Sequence, residues 1–124
     1  MLGIDGLATG IELAKDSTIY TGKGIDFELR DIETTRLGAT PYGLILCKYV
    51  YAFIQGKEVF VQNVAQCMSA TSTFVLVSPS QKHMPANKQN ITVAHEDMLA
   101  ALGREFSKIE TCERNSDIYY FCKK

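Results

Sequence analysis

Two short stretches in the first third of the chain alternate between apolar and polar positions. Residues 7–13 follow the turn-forming pair Asp5-Gly6, and residues 25–30 alternate apolar with charged side chains. A period of two is typical of a strand that buries one face. The pattern therefore predicts two half-buried strands before Pro41.

The middle of the chain carries its most hydrophobic run. Residues 43–54 are almost continuously apolar and rich in β-branched and aromatic types, which is typical of a strand covered on both faces. A short turn at 55–57 separates this run from a second one at 58–64, so the two are predicted to pair as an antiparallel hairpin. A third strand is predicted at 73–77.

A polar segment at 78–90 contains two prolines and no periodic apolar positions, which predicts a loop. Beyond it, apolar residues recur at helical spacing: Met98, Leu99, Leu102 and Phe106. Glu96 and Asp97 lie where the helix dipole favours acids, and Thr92 is predicted to cap the first turn. One amphipathic helix is therefore predicted to cover the sheet.

The C-terminal region is predicted to form a second hairpin. Residues 108–112 and 118–122 flank a turn-forming cluster at 113–117. Strands, then a helix, then a hairpin favour an α+β fold with a mainly antiparallel sheet over a doubly wound parallel one. The length of 124 residues fits a single α+β domain spanning 1–124.

Composition and charge narrow the functional classes. The chain is 46% hydrophobic and 22% charged, with a formal net charge of -1, so it has no global field to attract nucleic acid. No segment reaches the roughly 20 apolar residues that a membrane helix needs. The start of the sequence does not resemble a secretory signal, which predicts a cytoplasmic protein without a membrane partner.

Residues with metal-binding or catalytic chemistry are scattered. The four cysteines, Cys47, Cys67, Cys112 and Cys122, include no C-x-x-C pair and are predicted to be free thiols in the core. They form no close pair with His83 or His95 either, so no metal site and no cofactor are predicted. Pairing Cys67 with one of the histidines is the only thiol-based catalytic option, and nothing local supports it.

Two further patterns have structural explanations. The sequence at 21–24, Thr-Gly-Lys-Gly, lacks the spacing of a phosphate-binding loop and is interpreted as a turn. The aromatic residues of the hydrophobic runs are interpreted as core in preference to a base-stacking platform: Tyr49, Tyr51, Phe53 and Phe60. No catalytic residue is assigned, and nucleic acid is not the expected partner.

By elimination, the leading hypothesis is a non-catalytic binding or assembly module that contacts a protein partner or a second copy of itself. Both faces of the segment 118–122 are apolar or aromatic, and such a terminal strand can serve as an interface. Tyr119 and Phe121 are the predicted interface residues.

The alternative hypothesis is a protein that binds a small ligand, a nucleotide or a metabolite, or a minimal enzyme. Its pocket would be formed by the 78–90 loop and the start of the following helix. The polar side chains in this region are the candidate ligand contacts: Lys82, His83, Lys88 and His95.

Overall fold

A computed structural model describes residues 2–5, 8–15, 26–29 and 41–124. The chain divides into two compact units, Met1–Arg36 and Leu37–Lys124. The single domain spanning 1–124 stays a prediction.

The first unit contains a parallel strand pair. Strand β1 (Leu2–Asp5) is followed by helix α1 (Ala8–Lys15), and β1 pairs in parallel with β2 (Asp26–Leu29). A helix between the two strands provides the crossover that a parallel pair requires. Strand β2 confirms the strand expected at 25–30, and the turn expected at 21–24 lies outside the described residues.

The strand expected at 7–13 is wrong, because this segment forms most of α1. Ile11 is buried whereas Glu12 and Leu13 are exposed, so the next apolar residue, Leu13, does not share the buried side as a strand's period of two would require. Lys15 lies in the last turn, where the helix dipole favours a cation.

The second unit is built around a four-stranded sheet. Its elements are β3 (Leu44–Lys48), α2 (Lys57–Gln66), β4 (Thr73–Pro79), α3 (His95–Gly103), β5 (Lys108–Arg114) and β6 (Asp117–Lys123). The strand order is β3-β4-β6-β5; β3 and β4 are parallel, and the other two pairings are antiparallel. The α+β class, the mainly antiparallel sheet and the C-terminal hairpin are confirmed.

The hairpin expected between 43–54 and 58–64 is wrong. Strand β3 ends at Lys48, a 3₁₀ helix follows at Tyr51–Phe53, and the second run lies in helix α2. The buried residues of α2 follow a helical period, with Val59 exposed beside them: Phe60, Val61, Val64 and Ala65. Helix α2 is therefore the crossover that allows β3 and β4 to run in parallel.

The core lies between the sheet and the two helices. The ring of Phe74 on β4 lies 6.3 Å from that of Phe60 on α2 and 5.8 Å from that of Phe106. Met98 and Leu102 on α3 are fully buried, so α3 covers the sheet as expected. The expected cap is wrong, because Ala94 precedes the helix and the Thr92 hydroxyl donates to the carbonyl of Gln89 at 2.8 Å.

The C-terminal hairpin turns tightly at Asn115 and Ser116. Their φ angles of 51° and 68° are both left-handed, as a two-residue type I′ turn requires. The register confirms the turn, because Arg114 pairs with Asp117. The predicted turn cluster at 113–117 is therefore correct in place, with strands that extend farther into it than expected.

Residues 78–90 are more structured than the predicted loop. The segment contains two short 3₁₀ helices, Gln81–His83 and Ala86–Ile91. The side-chain amide of Gln89 donates to the carbonyls of Met84 at 2.9 Å and Gln81 at 3.2 Å, which ties the two helices together.

Within the described ranges, no helix has the length and hydrophobicity to cross a membrane.

Candidate functional site

The carboxyl ends of the parallel strands β3 and β4 are the candidate ligand-binding region of the second unit. In open sheets with parallel strands, ligands bind outside the carboxyl ends of the strands, because the loops that follow the strands converge there. We call this region the carboxyl end of the sheet and define it by residues 48–50, 78–80 and 115–117. The opposite region, the amino end, comprises residues 42–44, 67–73 and 122–124.

Tyr49 is the first residue after β3 and has an unusual backbone. Its φ of 60° is left-handed. Glycine adopts this conformation readily, but bulky residues adopt it only rarely. Its phenol donates to Asp117 Oδ2 at 2.5 Å, and its backbone N–H donates to the carbonyl of Val77 at 3.0 Å. The hydrogen bond to the Asp117 carboxylate is the main reason that the pKa of the Tyr49 phenol is raised.

Beyond Tyr49, the segment after β3 is held by a lysine. Lys57 Nζ donates to the carbonyl of Ile54 at 2.6 Å and contacts that of Ala52 at 3.5 Å, so it satisfies carbonyls at the end of the 3₁₀ helix. Tyr51 is buried, while Val50 and Phe53 are 45% and 64% exposed. The segment therefore presents apolar side chains on a fixed backbone.

The end of β4 is fixed to the hairpin turn. The backbone N–H of Ser80 donates to the carbonyl of Ser116 at 2.9 Å. Ser78 and Ser80 are both buried, and β4 reaches Pro79 opposite Asp117. The carboxyl end of β4 and the start of β6 are thus held together beside Tyr49.

The four candidate ligand contacts do not share partners. His83 Nε2 lies 3.4 Å from Glu113 Oε1 at the surface, whereas His95 Nδ1 lies 2.8 Å from the hydroxyl of Tyr120. Lys82 and Lys88 are exposed on the two 3₁₀ helices. Their role in ligand binding stays a prediction.

The aromatic residues divide between the core and the surface. Tyr51 and Phe60 are buried, as predicted, whereas Tyr49 and Phe53 are exposed. The predicted interface residues, Tyr119 and Phe121, stack with ring centroids 6.4 Å apart on the sheet face that points away from the core. They are half-buried and 38% exposed, respectively.

All four cysteines are free, and three of them are buried. Cys112 is exposed, so the assignment of all four to the core is wrong for this residue. Burial raises the pKa of Cys47 to about 11 and of Cys122 to about 12, and it also raises that of Cys67. These buried thiols are therefore poor nucleophiles at neutral pH. Among the described residues, no group of three or more histidine, cysteine or acidic side chains could hold a metal ion.

The chain is similar in fold to solved S-adenosylmethionine-dependent methyltransferases. A TehB-like enzyme of this class from Corynebacterium glutamicum matches 99% of the chain at a TM-score of 0.74 and 18% identity, over 67% of its own length. The N-methyltransferase NodS from Bradyrhizobium japonicum, solved with S-adenosylhomocysteine, matches 99% at 0.75 and 16% identity, over 65% of its length.

A human protein shares the same fold. N-acetylserotonin methyltransferase, solved with S-adenosylmethionine, matches 99% of the chain at a TM-score of 0.75 and 12% identity, over 40% of its own length. The chain thus spans between two fifths and two thirds of these three proteins. No family model matches the sequence, and no curated protein matches it.

These similarities overturn the leading functional hypothesis. The chain was expected to be a non-catalytic module for protein contacts and self-association, and not an enzyme. Its structural neighbours are instead methyltransferases, two of them solved with S-adenosylmethionine or S-adenosylhomocysteine. The hypothesis was wrong because it rested on the absence of local sequence motifs. A site that tertiary structure assembles from distant residues has no such local motif. The alternative of a small-ligand binder or enzyme agrees better with the fold.

Tyr49 and Asp117 were missed as site residues by sequence reasoning. Both fell inside larger patterns: Tyr49 within the apolar run 43–54 and Asp117 within the turn cluster 113–117. Lys48 offered a signal, because a charged residue inside an apolar run can mark the end of a strand. The expectation that this strand is covered on both faces is wrong, because Leu44 and Leu46 of β3 are exposed and β3 is the first strand in the sheet order. The contact between residues 68 positions apart had no local signal.

Proposed function

We propose that the chain binds S-adenosylmethionine and forms part of the catalytic machinery of a methyltransferase. The observation that carries this proposal is the match of 99% of the chain to the folds of proteins solved with S-adenosylmethionine or S-adenosylhomocysteine. The parallel strands β3 and β4 support it, since their carboxyl ends converge where such folds place a ligand.

The carboxyl end of the sheet has chemistry that suits an adenosyl ligand. The exposed ring of Tyr49 can stack on a purine, and Val50 adds apolar surface. Phe53, in the adjoining 3₁₀ helix, offers a second exposed ring. When bound, S-adenosylmethionine supplies a methyl group activated by its sulfonium. Tyr49, Phe53 and Val50 would bind and orient the ligand and exclude water from it.

A methyltransferase must bind a methyl acceptor as well as the methyl donor. We keep the polar side chains after β4 as candidates for contacts to the acceptor or to the donor: Lys82, His83, Lys88 and His95. His83 is the best placed of them to act as a base, because the nearby Glu113 carboxylate can orient its imidazole. We also keep the cytoplasm as the expected location.

Calorimetric titration with S-adenosylhomocysteine tests the proposal, with methionine and ATP as comparison ligands. We expect saturable binding of S-adenosylhomocysteine and much weaker binding of the other two. Absence of binding at millimolar S-adenosylhomocysteine would overturn the proposal.

A matched pair of variants locates the binding site. Val50→Asp places a charge at the carboxyl end, and Leu44→Asp places the same charge on an exposed strand residue at the amino end. We expect Val50→Asp to weaken binding about tenfold or more, since an unpaired carboxylate must be desolvated by the ligand, and Leu44→Asp to leave it nearly unchanged. Equal effects would argue against binding at the carboxyl end.

A further inference from the structure

Tyr49 combines three properties that its position in the sheet does not require. It has a left-handed backbone, its side chain is 44% exposed, and it directly follows a parallel strand. Strained conformations of non-glycine residues cluster at sites of function, because the surrounding structure must hold them in place. The strain at Tyr49 therefore invites a functional explanation.

The side chain of Tyr49 crosses the end of a neighbouring strand. Tyr49 follows β3 and its phenol reaches Asp117 on β6, but β4 lies between these two strands. Neighbouring strands lie about 4.8 Å apart, so the bond spans two strand spacings across the carboxyl end of β4. Lys48 Nζ lies over the Tyr49 ring, 5.1 Å from its centre. One face of the ring therefore contacts a cation.

Asp117 is well placed to fix the orientation of this ring. It is the first residue of β6 and pairs with both Pro79 on β4 and Arg114 on β5. Its backbone is thus held from two sides, and its carboxylate accepts the hydrogen bond from the Tyr49 phenol. Tyr49 cannot rotate away from the end of β4 without breaking this bond.

The stability of the fold does not account for the arrangement. An exposed hydrogen bond contributes little to folding because water competes for both partners, and the left-handed backbone of Tyr49 opposes folding. The two effects are of similar size and opposite sign. An arrangement with little net value for stability, located where ligands bind, is explained by ligand recognition.

We infer that Tyr49 contacts the adenosyl ligand and that Asp117 is a positioning residue that acts through the Tyr49 phenol. This inference rests on the proposed function. The Tyr49 ring lines the binding site over the end of β4, and the hydrogen bond to Asp117 fixes the orientation of that ring. The pair makes recognition of the ligand depend on a contact between the first and third strands of the sheet order.

A double-mutant cycle on the whole chain tests this inference, with S-adenosylhomocysteine as the probe. The proteins are wild type, Tyr49→Phe, Asp117→Ala and the double variant. We expect each single variant to bind roughly three- to tenfold more weakly, as loss of one hydrogen bond implies. The double variant should bind no more weakly than either single variant, because both changes remove the same interaction.

Three further variants control the cycle. Asp117→Asn keeps an acceptor at the same place and should recover part of the affinity. Tyr119→Phe removes a phenol from the same sheet, Glu110→Gln removes a carboxylate from β5, and both should bind within about twofold of wild type. Circular dichroism and urea unfolding should show that all variants remain folded with similar stability.

The outcomes separate the inference from the proposed function. If wild type does not bind S-adenosylhomocysteine, both fail. If wild type binds and the two single variants bind equally well, the inference is overturned while the proposed function stands. Multiplicative losses in the double variant would also overturn it, because Asp117 would then act independently of Tyr49.

Discussion

The two ends of the four-stranded sheet are built differently. At the amino end, Ser72 is fully buried, and its hydroxyl donates to the carbonyl of Tyr42 and accepts from the N–H of Ser69. At the carboxyl end, Tyr49 and Val50 are exposed, and Tyr49 has a left-handed backbone. The buried hydroxyl of Ser72 at the amino end is satisfied by its neighbours, whereas Tyr49 at the carboxyl end is both exposed and strained.

We propose that the two ends of the sheet have different roles, one in folding stability and the other in ligand binding. A satisfied buried network stabilises the fold because each of its members would be costly to leave unpaired. An exposed and strained residue contributes little stability and is available to a ligand. We therefore expect changes at the amino end to affect folding and changes at the carboxyl end to affect binding.

The largest expected effect is a loss of stability at alkaline pH. Burial raises the pKa of Cys47 from 9.0 to about 11 and that of Cys122 to about 12. The unfolded chain releases these protons near pH 9 while the folded chain retains them, so the free energy of unfolding falls as pH rises above 9. The contribution is fully present below pH 9, and urea unfolding at a series of pH values measures it.

Two alanine variants assign this pH dependence to the two ends. Cys47 is near the carboxyl end and Cys122 near the amino end. Both thiols contribute to the loss above pH 9, so Cys47→Ala should remove the share that is complete at about pH 11, and Cys122→Ala the share that is complete at about pH 12. Both variants keep the loss caused by Tyr120, whose pKa burial raises from 10.0 to about 12. Cys112→Ala, which removes an exposed thiol, is the matched control. Stability that does not change from pH 8 to pH 11 would contradict the burial of these thiols.

The next effect is the loss of the buried hydroxyl at the amino end. Ser72→Ala leaves the carbonyl of Tyr42 and the N–H of Ser69 without this partner and should lower the free energy of unfolding by about 1–3 kcal/mol. The affinity for S-adenosylhomocysteine should not change. Thr71→Ala, at an exposed position of the same turn, should cost less than about 0.5 kcal/mol. A large loss of affinity in Ser72→Ala would break the division between the two ends.

The smallest expected change in stability is at Tyr49. Glycine tolerates the left-handed backbone, so Tyr49→Gly gains about 1 kcal/mol from relieved strain and loses a similar amount with the bond to Asp117. Its free energy of unfolding should stay within about 1 kcal/mol of wild type, while its affinity for S-adenosylhomocysteine falls. Unfolding of the domain by this substitution would show that Tyr49 is structural.

The elements that were predicted correctly have local causes. Strand β2 follows from a period-two pattern, β4 from a short run that stops at Ser78-Pro79, and the C-terminal hairpin from its turn-forming residues. Helix α3 follows from the spacing of its buried residues, Met98 and Leu102, with Phe106 just beyond it.

Helix α2 was predictable in principle. The spacing of Phe60, Val61 and Val64 is helical, but the β-branched composition was given more weight than the period. β-Propensity depends on context, and here the crossover between parallel strands determined the structure of the segment.

The candidate site could not be predicted from local sequence. Tyr49 has a left-handed backbone and donates to Asp117 on another strand, and position 49 holds neither the glycine nor the asparagine that would predict such a backbone. The parallel pairing of β3 and β4 is equally non-local, because it depends on how α2 packs. The site therefore follows from tertiary structure.

Mapping the binding site of S-adenosylhomocysteine by NMR tests the central claim most directly. In a titration of isotope-labelled protein, the account predicts that amide shifts concentrate at the carboxyl end, at Tyr49, Val50, Ser80 and Asp117. The amino end, represented by Ser72, Thr73 and Lys124, should be nearly unaffected. Shifts that concentrate at the amino end, or no shifts at saturating ligand, would contradict it.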